Sequence, residues 1–195
     1  MNTAFKRSAV AGIAHILCSV PLMGMALVSS GSEEHSTAWI TTWIALYSVS
    51  LVCYVLFMLG FRELGDRTNN LPLEIATSVL IAFSFVDYGY SITEFLLPRW
   101  AAGFFGLAIL FLAGILSAGF GFTLFRLKTT IGGVATAAGV LELIIGVSFV
   151  TLVMMPVGLL LYFPALIVET YILFRVAGLW AEQEIEEPPP LCPDV

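Results

Sequence analysis

Apolar residues run along the chain in six blocks, at about 8–29, 39–60, 73–96, 100–122, 131–154 and 159–179, and the polar residues collect in the short gaps between them. Each block is close to the roughly 20 residues that a helix needs to cross about 30 Å of hydrocarbon. The pattern predicts an all-α protein, a polytopic membrane bundle of six transmembrane helices over residues 1–181, followed by a tail at 182–195. Little chain remains for a separate soluble domain, so any function is expected inside the bundle, at its two faces or on the tail. The first block exceeds the usual 7–15 residue apolar region of a secretory signal, and it is expected to be a permanent helix.

Composition agrees with this reading. Hydrophobic residues make up 59% of the chain and charged residues 11%, far from the roughly one-quarter charged content of soluble domains. The mean hydropathy is +0.97. The lipid bilayer is therefore the expected environment, and a multi-pass position in the cell membrane the expected location.

Charge orients the bundle. With the N-terminus inside, Lys6, Arg7, Arg62, Arg67, Arg126, Lys128 and Arg175 fall on or near the cytoplasmic side and only Arg99 falls outside, which is the bias that positive charge near helix ends imposes. Both termini are expected to be cytoplasmic, with Glu33, Glu34 and His35 in an external loop. Trp39, Trp43, Trp100 and Trp180 lie near block ends, where indole rings favour the membrane interface.

The net charge of −6 is concentrated in the tail, where Glu182, Glu184, Glu186, Glu187 and Asp194 precede or follow a proline run. Such a segment cannot bury a core and reads as a disordered, solubilising terminus. Its sign would repel nucleic acid and anionic headgroups, so no nucleic-acid partner is expected.

Three blocks end in Phe-Arg, at LGFREL, TLFRLK and ILFRVA, which suggests three helical hairpins. The pairs are spaced unevenly, and basic residues ending every inward-going helix would explain them equally well. In length and helix count the chain is similar to the small substrate-binding subunits of energy-coupling-factor vitamin transporters, but no motif joins it to them and no family is assigned. Glycine and alanine mark the fourth block (Gly103, Gly106, Gly114, Ala118, Gly121) and the fifth (Gly132, Ala135, Gly139, Gly146). Small residues allow the close backbone approach by which helices associate in lipid, so these two helices are expected to be central. Pro21, Pro156 and Pro164 should kink or start helices.

Ionisable residues inside the blocks carry the candidate chemistry, because a charge at the bilayer centre costs at least about 2.5–3.5 kcal/mol and must face protein or water. Asp87, Glu142 and Glu169 lie near mid-helix and His15 about a third of the way along the first block. Glu74 and Glu94 lie at the ends of the third block. In SFVDYGYSITEFLLPRW, residues Ser84, Asp87, Ser91 and Glu94 are spaced 3, 4 and 3 apart and share one helical face, with Tyr90 beside it. Burial disfavours the charged form of a carboxyl, and mid-depth bases are scarce, so these acids imply bound protons or a bound cation. The alternative is that each carboxyl only locks two helices together.

Other chemistries lack their residues. Haem ligation by two histidines needs a partner for His15 at membrane depth, a retinal Schiff base needs a buried lysine, and no phosphate loop, HExxH or GxSxG motif occurs. Cys18, Cys53 and Cys192 have neither disulfide-framework nor zinc spacing, and the final CPDV lacks the aliphatic middle of a prenylation box. The sequence thus predicts a non-enzymatic membrane protein without metal or cofactor. It is expected to be a carrier or permeation protein that handles a small solute, proton or cation, or else an accessory subunit or assembly factor bound to partner membrane helices.

Overall fold

The computed structural model describes residues 3–29, 36–93 and 99–186. These form helices α1 (Thr3–Ser29), α2 (Thr37–Arg67), α3 (Leu71–Thr93), α4 (Arg99–Phe125), α5 (Lys128–Ile131), α6 (Gly133–Thr151) and α7 (Met155–Glu186). Among the described residues, all but the one-turn α5 are long and apolar enough to span a membrane. The six-helix membrane bundle expected from the blocks is the observed fold.

Its arrangement is a closed ring. α1 packs on α2, α2 on α3, α3 on α4, α4 on α6, α6 on α7, and α7 returns to α1. Chain neighbours are therefore ring neighbours, apart from the closing α7–α1 seam. The small-residue helices α4 and α6 are two members of this ring, not its centre as expected, because two pairs of their glycines serve the seam between them. A Cβ at Gly114 would lie 2.7 Å from the Gly146 carbonyl oxygen, and one at Gly146 would lie 2.6 Å from that of Gly114. Gly121 and Gly139 oppose each other in the same way at 2.8 Å. Gly103, by contrast, has nothing within 4 Å of where a Cβ would stand.

The ring is filled at one end. Phe57 stands edge-on to Phe61 and Phe61 edge-on to Phe120, each pair with centroids 5.4 Å apart. Leu64, Leu73, Leu124, Leu127, Ile131 and Leu173 complete this apolar plug, all fully buried. At the same end the Arg67 guanidinium covers the rings of Phe5 and Trp180, 5.1 and 4.9 Å from their centroids, and pairs with Glu63 at 2.7 Å. This clasp joins α1, α2 and α7, so the starts of α1 and α5 and the ends of α2, α4 and α7 share one face of the bundle, here termed the clasp face. The basic residues at these helix ends lie toward the clasp face, in keeping with the charge bias read from the sequence.

Local details depart from the pattern in places. α2 continues to Arg67, seven residues past its apolar block, since Glu63 and Arg67 form an i,i+4 pair that suits an exposed helix end. α5 ends at Gly132, whose φ of +83° favours glycine. Pro156 opens α7, while Pro21 and Pro164 lie inside α1 and α7. Backbone of α7 is helical to Glu186, so residues 182–186 are helix where an extended tail was expected. Alanine, glutamate and glutamine are favourable helix formers there, and the rest of the tail lies outside the described residues. Trp43 is buried and stacks between Trp39 and Tyr47, so its ring faces into the bundle near the start of α2.

The α4–α6 seam generates a direct prediction. Gly146→Leu must force two backbones apart and should lower the stability of the detergent-solubilised protein by about 1–3 kcal/mol, in the range of overpacked cores. Gly103→Leu should leave it unchanged. Equal effects of the two in thermal unfolding would show that the seam is not closely packed.

Candidate functional site

On the far side of the plug from the clasp face, the ring encloses a cavity of about 340 Å³. Every ring helix contributes to its wall: His15 and Ser19 from α1, Tyr47, Ser50 and Tyr54 from α2, Ser84 and Asp87 from α3, Ser117 from α4, Glu142 from α6, and Tyr162 and Glu169 from α7. Phe83, Phe120, Phe149 and several leucines supply the apolar remainder. Half-buried groups such as Asp87, Glu142, Tyr54 and Tyr162 are inside the bundle, and they line this space.

Three hydrogen-bonded groups organise the wall. In the first, His15 Nδ1 lies 3.2 Å from the Ser50 carbonyl oxygen and 3.0 Å from Ser50 Oγ, while Nε2 lies 3.1 Å from the Tyr162 hydroxyl. A carbonyl only accepts, so Nδ1 carries a hydrogen, and in the neutral imidazole Nε2 then accepts from Tyr162. The imidazole is thus satisfied with a single proton, and it ties α1 to both α2 and α7.

The second group joins α2 and α3. The Tyr47 hydroxyl donates to Asp87 Oδ2. Tyr47 also stacks on Tyr88, with centroids 5.7 Å apart. Ser48 Oγ donates to the Ile44 carbonyl, and the Tyr88 hydroxyl in turn donates to Ser48 Oγ at 2.6 Å. Trp39, Trp43, Tyr47 and Tyr88 form a continuous aromatic stack ending beside Asp87.

The third group lies across α4, α6 and α7. Ser117 Oγ approaches both the Glu142 carboxyl and the Glu142 backbone carbonyl, the latter at 3.0 Å. Its one hydroxyl hydrogen is shared between these two acceptors on Glu142. Glu169 adjoins Glu142. It is 1% exposed, and its Oε1 has no hydrogen-bond partner among the described residues. Two ionised carboxylates about 4 Å apart repel by about 4 kcal/mol at an effective dielectric of 20, so such a pair requires positive charge between or beside it. Among the described residues, lysine and arginine are absent from the cavity wall, and His15 is committed to Ser50 and Tyr162.

The residues singled out from sequence are thus partly gathered here. Asp87, Glu142, Glu169, His15 and Ser84 meet at the cavity. Ser91 is buried one turn beyond Asp87 and bonds to Tyr47. Tyr90 packs along α4, where a Cβ at Gly106 would lie 2.8 Å from its hydroxyl, so it supports the α3–α4 seam and does not line the cavity. Glu94 lies outside the described residues. Glu74, at the start of α3, lies 3.9 Å from Arg62 near the clasp face, away from the cavity. Tyr47, Ser50, Tyr54, Ser117 and Tyr162 were missed. Tyr47, Ser50 and Tyr54 repeat at intervals of 3 and 4, the same one-face spacing that marked α3, and that spacing was the available signal.

Cys18 and Cys53 are free, and the described residues hold no cluster of three His, Cys, Asp or Glu side chains placed to share a metal ion. Comparison of the chain with protein-family models, with curated proteins and with solved structures finds no match in any of the three. The reading of function therefore rests on the site itself.

Tyr47→Phe retains the aromatic stack and removes only the hydroxyl donor to Asp87. A double-mutant cycle with Asp87→Asn, read by unfolding in membranes or micelles, should give a coupling of about 0.6–1.7 kcal/mol, the range found for hydrogen bonds between membrane helices. A coupling of zero would show that the two side chains do not interact.

Proposed function

We propose that the protein is a non-enzymatic carrier or permeation protein, in which a small solute occupies the central cavity and the Glu142–Glu169 pair exchanges a proton for positive charge. The supporting observation is the cavity itself. Three mid-depth carboxyls converge on one space, although Asp87 and Glu142 also bridge helices through Tyr47 and Ser117, and structural locks alone would give no reason for that convergence. Its volume far exceeds the roughly 30 Å³ share of one water molecule, and a proton wire alone needs no such room.

The filling of the bundle bears on mechanism. Phe57, Phe61 and Phe120 close the route from the cavity toward the clasp face. A carrier must alternately open its two sides, so this plug is the element that has to separate for release in that direction. In the orientation favoured by the basic residues, the clasp face is cytoplasmic and the cavity belongs to the outer half of the bundle. An accessory-subunit role gains no comparable support, because the carboxyl-lined space would then be an unused cost in stability.

Accessibility tests the proposal without knowledge of the solute. In a background lacking Cys18, Cys53 and Cys192, Ser84→Cys should react in intact membranes with a small membrane-impermeant thiol reagent, and Leu64→Cys in the plug should not. If Ser84→Cys stays inert from both sides of the membrane, the space is sealed and the subunit reading replaces the carrier.

A further inference from the structure

The character of the cavity wall narrows the solute to one chemical class. We propose that the cavity binds a protonated primary or secondary amine with an apolar, aromatic-sized body, its ammonium donating to Glu169 Oε1 beside Glu142. This rests on the carrier reading above and adds the identity of the solute class.

Three independent features point the same way. The first is the unpartnered atom: Glu169 is buried, lines the cavity, and holds a carboxyl oxygen with no donor. Buried acceptors are almost always paired; Glu142, the carboxyl beside it, can donate only when protonated, and a ligand N–H would take that place when the pair is ionised. The second is the charge balance. The wall carries three carboxyls against one histidine already satisfied by the Ser50 carbonyl and Tyr162, so a cationic donor is favoured over a neutral one and an anion is disfavoured. The third is the remaining wall, where Phe83, Phe120, Phe149, Tyr54 and Tyr162 offer ring surfaces to an apolar body and π faces to a cation.

The same features separate this class from its neighbours. A quaternary ammonium has no N–H for Glu169 Oε1. A divalent metal would want more ligating side chains than the two carboxylates offer together, and no three-residue cluster is present among the described residues. An inorganic monovalent ion would leave most of a 340 Å³ space, largely apolar, without an occupant.

Phenethylammonium is a suitable probe, with tetraethylammonium, sodium and the neutral isostere of similar shape, 2-phenylethanol, as comparisons. In the purified full chain, phenethylammonium should raise the unfolding temperature in a saturable manner and slow the alkylation of Ser84→Cys, and the other three should do neither at equal concentration. Glu169→Gln should weaken phenethylammonium binding at least ten-fold. Should that variant fail to fold, protection of Ser84→Cys in the otherwise intact protein still decides the matter.

Reactivity of Ser84→Cys without protection by the amine would overturn the solute class while leaving the carrier reading in place. An inert Ser84→Cys would remove both. Equal protection by 2-phenylethanol would show that charge is not recognised. Equal protection by tetraethylammonium or sodium would show that the N–H donor is not, and undiminished binding to Glu169→Gln would place the ammonium elsewhere.

Discussion

A carboxyl group within the hydrocarbon layer has no solvent except what the protein supplies, and the bundle is arranged around that fact. Lipid tails compete on equal terms with leucine and phenylalanine for contact, so apolar burial does not gather the helices as it would in water. What holds them is close approach and polar pairing. Gly114 and Gly146 bring α4 and α6 to backbone contact, while His15, Tyr47 and Ser117 each bridge one helix to another. The polar bridges all point inward, and their common meeting place is the cavity.

Structure and chemistry divide the ring into two halves. Toward the clasp face the interior is aromatic and closely packed, and the Arg67 clasp holds the helix ends together. Toward the other face the interior is lined by carboxyls, hydroxyls and aromatic rings that surround open space. A filled half and a polar half in series suit the proposed carrier role, in which a solute would be held on one side of a barrier. The cost is local stability, since a buried carboxyl oxygen such as Glu169 Oε1 is expensive to leave without a donor.

Much of this was legible in the sequence, but unevenly. The span count followed from block length, and Asp87, Glu142, Glu169 and His15 stood out because an ionisable residue at membrane depth is rare. The ring order was hidden, because the inner and outer faces of a membrane helix are about equally apolar. In α4, Phe120 is buried at 1% and Phe122 is exposed at 63%, yet the residue type is the same. Only small and polar residues betray the inward face, which is why the glycines of α4 and α6 stood out although their place in the ring did not, and why the Phe57–Phe61–Phe120 plug was not found. The tyrosines were missed for a related reason: Tyr54 and Tyr162 read as ordinary apolar residues until their hydroxyls are placed. Tyr90 misled in the opposite direction, since nearness in sequence to Asp87 put it beside a face that it does not share.

Radiolytic hydroxyl-radical footprinting of the protein in membranes tests the division of the ring most directly, because oxidation marks side chains that touch internal water. Tyr47, Tyr54 and Tyr162 should be oxidised, and Phe57 and Phe61 should be spared. Protection of all three tyrosines to the level of the plug phenylalanines would show a dry interior and contradict the account of a solute cavity.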